Sequence, residues 1–99
     1  MTDSPSGTLQ KATAALQQGD HQTALDEALQ AVKGDAKSVD AWMALGQAQT
    51  ANHHHRGALA AFRKAIQLEQ SPGPRMERLK QLEAEADEIL QKTQFEKGG

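Results

Sequence analysis

Apolar residues recur at three- and four-residue spacing from Thr8 onward, interrupted at short, regular intervals by glycine, aspartate, asparagine and proline. That spacing predicts helices, and the interrupting residues set their ends. A first helix is expected from about Thr8 to Gln18, stopped by Gly19-Asp20. A second runs from about Gln22 to Lys33, stopped by Gly34-Asp35. Glycine just after a helix and aspartate just before one are the usual stop and start residues. Ser38 is placed to cap a third helix reaching about Ala51, with Asn52 as its left-handed terminator. A fourth covers about Arg56 to Gln70. Ser71-Pro72-Gly73-Pro74 is the strongest break, because Pro74 pushes Gly73 out of the helical region. A fifth, longer helix follows from Pro74 to about Thr93, with the last residues from Phe95 expected to fray.

The helical pattern repeats. Ala24-Leu25 and Ala58-Leu59 stand 34 residues apart, and at that offset Ala28 matches Phe62, Ala31 matches Ala65, Val32 matches Ile66, and Asp35 matches Glu69. The second copy reads Trp42-Met43-Ala44-Leu45-Gly46, then Ala58, Phe62 and Ala65. With these residues at a period of 34, the chain resembles the tetratricopeptide-repeat family over about residues 5–72. The resemblance implies an all-α, right-handed solenoid of helix-turn-helix units. Repeat one would cover about 5–38, repeat two about 39–72, and a capping helix about 74–95. All of it falls in one domain over 8–95, with 1–7 and 96–99 expected to be flexible.

Elementary packing explains the recurring residues. Trp42, Leu45 and Gly46 lie on one face of the third helix. Gly46 and Ala58 let two helices approach closely, and Phe62 fills the space beside them. The first copy departs from this pattern. Thr8 and Lys11 stand where Trp42 and Leu45 recur, and the apolar residues Leu9 and Leu16 predict a helix rotated or slipped by about one residue. Both copies lack the family's tyrosine, with Ala15 and Gln49 in its place, and its terminal proline, with Ala36 and Gln70.

Two helix pairs need a cap with a polar outer side. The fifth helix fits, with Leu79, Leu82, Ala86 and Ile89 or Leu90 as its apolar stripe. Ile89, Leu90 and Phe95 also make its tail a candidate for self-association.

Composition narrows the function classes. Ninety-nine residues make one domain. Cysteine is absent, which excludes disulfides, thiol nucleophiles and thiolate metal sites. Eleven basic against thirteen acidic residues give a net charge of −2 and no general attraction to nucleic acid. Seventeen alanines and twelve glutamines, with two valines, two isoleucines and no tyrosine, exclude an all-β fold. No signal-like segment and no long apolar run is present, so a cytoplasmic protein without membrane insertion is expected.

Candidate chemistry is sparse. His53-His54-His55, with His21 in the matching turn, is the one cluster able to ligate a metal. Consecutive histidines diverge, however, and a turn favours polar residues anyway, so no metal site is expected. The acidic run Glu83, Glu85, Asp87 and Glu88 reads as a solvated helix face. Ser4, Ser6, Ser38 and Ser71 lie at loops or caps without histidine and aspartate partners. No glycine-rich phosphate loop occurs. Neither catalysis nor a cofactor is expected.

The family resemblance implies a concave groove lined by the first helix of each repeat. Its candidate residues here are Gln10 and Thr13, then Met43, Gln47 and Thr50, then Arg78 and Gln81. The family members that clamp acidic chaperone tails use Lys, Asn, Asn, Lys and Arg. This chain has Leu9, Thr13, Ala44, Pro74 and Arg78 at those places, so only Arg78 fits and no such clamp is expected. The expected function is a non-catalytic interaction module, a small adaptor or assembly factor that takes a partner's peptide or helix. The alternative is a structural subunit that docks or self-associates through its long last helix.

Overall fold

The computed structural model describes residues 5–98, with side chains over 7–93. It consists of α1 (Pro5–Gln18), α2 (His21–Gly34), α3 (Val39–Ala51), α4 (His55–Leu68) and α5 (Pro74–Gly98), and no strand occurs among the described residues. Three helix starts follow from local chemistry. The Asp20 carboxylate accepts the Thr23 N–H ahead of α2, and the Ser38 hydroxyl accepts the Ala41 N–H ahead of α3. Pro74 opens α5, where its missing N–H costs nothing. Two ends lie beyond the expected ones. α1 starts at Pro5, so residues 5–7, expected to be flexible, are helical. α5 continues to Gly98 rather than ending near Thr93, which takes residues 96–98 into the helix. The expected flexible residues 1–4 and Gly99 lie outside the described residues.

Each helix packs against the next, and α1 also touches α3. The connections are short, as in antiparallel helix neighbours. Two apolar clusters result. The first joins Ala12 and Ala15 of α1, Ala24 and Ala28 of α2, Ala44, Leu45 and Ala48 of α3, and Ala61 of α4. The second joins Ala58, Leu59, Phe62 and Ala65 of α4 to Leu79 and Ala86 of α5. Phe62 and Leu79 are the largest fully buried side chains. Trp42 is half-buried and packs against both clusters, with its indole N–H donating to the Ala36 carbonyl at 2.7 Å. It links the clusters rather than filling either one.

The two pairs keep their register. Ala12 and Gly46 are both buried, as are Ala24 and Ala58, Ala28 and Phe62, and Ala31 and Ala65. The slip expected for α1 does not occur. Lys11, in the place of Leu45, is exposed, whereas Leu45 is buried in the first cluster.

Gly46 is required by its neighbour. A Cβ there would lie 2.4–2.8 Å from three atoms of the Phe62 ring. Helices α3 and α4 therefore approach along a glycine, and the aromatic ring occupies the space the missing side chain leaves.

α5 covers the second cluster and is tied down by charge. Arg63 of α4 donates to Glu83 at 3.0 Å. Arg75 bonds Glu69, which follows α4, and Asp40 of α3 at 3.1 Å. The Arg75 guanidinium beside Glu69 holds its carboxyl below the usual carboxylate range. Ile89 and Leu90, expected in the capping stripe or in a tail open to self-association, are half-buried, and Leu90 packs on the second cluster. Phe95, the third residue of that tail, has its side chain outside the described residues.

Candidate functional site

Helices α3 and α5 flank a cleft of about 230 Å³ whose lining includes Phe62 from α4. Gln47 and Thr50 stand on the α3 side, and Arg78, Leu82, Glu85, Ala86 and Ile89 on the α5 side. The cleft follows from the interior just described. Because α4 sits behind α3 and α5, its largest side chain reaches the space between them, while Leu79 and Leu90 turn toward the core.

The candidate residues divide. Gln47, Thr50 and Arg78 come together in the cleft. Met43, expected as an adaptable apolar spot in the groove, is half-buried against the second cluster and does not line it. Gln81 is exposed beside Leu82 without lining the cleft. Gln10 and Thr13 lie exposed on α1, and the Thr13 hydroxyl donates to the Leu9 carbonyl of its own helix at 3.0 Å.

Five lining residues had other readings in the sequence. Phe62 read as interior, Leu82, Ala86 and Ile89 as a capping stripe, and Glu85 as one of a solvated acidic run. The four acids in fact have separate environments. Glu83 pairs with Arg63, Glu88 with Lys92 at 3.3 Å, and Asp87 accepts a hydrogen bond from Gln91 at 3.0 Å. Glu85 alone of the four faces the cleft. Its spacing from Arg78, seven residues or two helical turns, was the available signal.

Polar capacity on the α3 wall is mixed. The Thr50 hydroxyl donates to the Gly46 carbonyl at 2.9 Å. The Gln47 side chain makes no hydrogen bond with the described residues, so its amide can both donate and accept. Charge is confined to the α5 wall, where Arg78 and Glu85 are both exposed.

A second hollow of about 410 Å³ lies at the α3–α4 turn, lined by His53, His54, His55, Arg56, Gly57, Leu90 and Thr93. The His53 and His55 rings meet edge to face with centroids 6.0 Å apart. Among the described residues no three histidine or acidic side chains are arranged to hold a metal ion. No described helix is long and apolar enough to cross a membrane. Neither models of known protein families nor curated proteins match the chain.

Proposed function

We propose that this chain is a non-catalytic interaction module of the tetratricopeptide type, and that the α3–α5 cleft receives a segment of a partner protein. The observation that carries this reading is the cleft's makeup. It combines apolar Phe62 of α4 and Leu82, Ala86 and Ile89 of α5 with polar Gln47 and Thr50 on the α3 wall and charged Arg78 and Glu85 on the α5 wall. Side-chain anchoring within a polar rim is how short segments are recognised. At about 230 Å³ the cleft falls below the roughly 300–1,000 Å³ of small-molecule sites. The 34-residue correspondence of buried positions supports the repeat architecture, with α5 as its cap.

The test starts from a library of 12-residue peptides displayed on phage and selected on the whole chain. Selected peptides should lose at least about tenfold in affinity for the double variant Gln47→Glu, Ile89→Glu, since unpaired carboxylates must be desolvated on docking. Leu29→Glu on α2 is the control, because Leu29 is 38 % exposed and lies away from the cleft. Circular dichroism checks folding. Binding that survives the cleft pair and fails at Leu29 would refute the assignment.

A further inference from the structure

Arg78 and Glu85 are the charged residues of the cleft, and neither has an ion-pair or hydrogen-bond partner among the described residues. Two other arginines packed at α5 differ in this respect, whereas Arg56, beside Leu90 and Thr93, has no ion pair among the described residues. Arg63 and Arg75 are engaged by Glu83, Glu69 and Asp40. Seven residues on one helix separate Arg78 from Glu85 by about 10 Å, at 1.5 Å per residue. That exceeds the roughly 8 Å screening length of physiological salt, so the two act as separate sites and not as a pair. Leu82 and Ala86 lie between them along α5, with Phe62 behind.

We infer, on the reading that this cleft is the binding site, that its occupant is an extended segment carrying an acidic, an apolar and a basic residue at alternate positions. The acidic residue meets Arg78, the apolar one enters above Phe62, Leu82 and Ala86, and the basic one meets Glu85. Alternate residues of an extended chain point the same way, and four residues span about 13 Å. The flexible arms of Arg78 and Glu85 make up the difference from 10 Å. The amide of Gln47 on the opposite wall can meet the backbone groups that an extended chain leaves unpaired. The chemistry selects for charge order. A segment with both ends acidic would place a carboxylate against Glu85, and one with both ends basic would place a cation against Arg78.

The test is the same phage library, selected in parallel on the native chain and on the double variant Arg78→Glu, Glu85→Arg. Both side chains are exposed, so the fold should persist, with circular dichroism as the check. The native chain should enrich peptides with one acid–apolar–base order, and the variant should enrich the opposite order. A synthetic peptide from the first selection should bind the native chain about tenfold tighter than the variant, and raised salt should narrow the gap. Peptides that bind the cleft with no paired charges, or in the same order on both chains, would overturn the charge-order inference and leave the cleft assignment standing. No enrichment at all, or binding insensitive to Gln47→Glu, Ile89→Glu, would overturn both.

Discussion

Gly19-Asp20-His21 and His53-His54-His55 form the same turn, 34 residues apart, and make the same backbone hydrogen bonds. Gly19 N–H donates to Leu16 and Asp20 N–H to Ala15, as His53 N–H does to Thr50 and His54 N–H to Gln49. This is the paired closure that ends a helix with one left-handed residue. Gly19 takes that conformation at φ 80°, whereas His53 is held in it at φ 63°. Asp20 caps α2 through Thr23, while His54 makes no side-chain cap for α4. The first turn thus uses residues suited to its geometry. The second repeats the geometry with histidines, and it is kept by packing and by Asn52. The Asn52 amide donates to the carbonyls of Ala48 and His21, both at 2.8 Å, and ties the second turn to the first. Backbone shape at these positions is therefore imposed by the paired helices, and side-chain preference only modulates its cost.

The same contrast runs inside the pairs, where the strongest tests lie. At matched positions the first pair has Ala12 and Ala28, and the second has Gly46 and Phe62. Phe62→Ala should destabilise by about 3–5 kcal/mol as a large-to-small core change. Gly46→Ala should cost about 1–3 kcal/mol, because its new methyl meets the ring. Combining them gives the second pair the composition of the first, and the joint loss should fall short of the sum of the two. Chemical denaturation of the four chains measures this coupling. Strict additivity would show that the glycine and the ring do not share one space.

In the turns, exchange should improve the second and damage the first. His53→Gly and His54→Asp should each stabilise by about 1 kcal/mol, the first by relieving the left-handed conformation and the second by supplying a cap. Gly19→His and Asp20→Ala should destabilise by similar amounts. Melting curves decide the matter, and a neutral His53→Gly would mean that the histidine side chain compensates for its backbone.

Acid should separate the turns with the smallest effect. The Thr23 hydroxyl and amide hold the Asp20 carboxyl below its ordinary range. A carboxylate lowered on folding contributes stability above its unfolded pKa of about 3.9, and that contribution disappears as pH falls through the lower folded value. Asp20→Asn should therefore flatten the fall in melting temperature at the acid end, and His54→Asp should steepen it. Glu69, just after α4 and lowered by Arg75, follows the same sign.

The repeat and the glycine–phenylalanine contact were legible because each depends on residues at fixed spacing along one or two helix faces. Leu9 and Leu16 point to a slipped α1, and the slip does not occur. Both leucines are half-buried against the first cluster in the kept register, which only the packing shows. Asn52 read as the left-handed residue, yet it lies at φ −95°, and the next residue takes that role. The position is set by where the closing hydrogen bonds fall, and a histidine there carries no local signal. Met43 packs on the second cluster and Ile89 lines the cleft for one reason. A helix has a continuous circumference, and which arc meets solvent depends on the azimuth of the helices beside it.

The sequence by itself determined that this chain is helical, that its breaks fall near Gly19, Gly34, Asn52 and Pro72, and that Gly46 and Phe62 belong to one contact. Those properties are local or periodic, and propensity, capping and spacing set them. Tertiary structure alone decided that Glu85 leaves the acidic face to join Arg78, Gln47 and Phe62 around one cleft. Residues drawn from three helices are brought together by how α5 settles against α3 and α4. That depends on the volume of Phe62 and Leu79 and on the Arg63 and Arg75 ion pairs, which are distances between elements that no pattern along a single helix encodes.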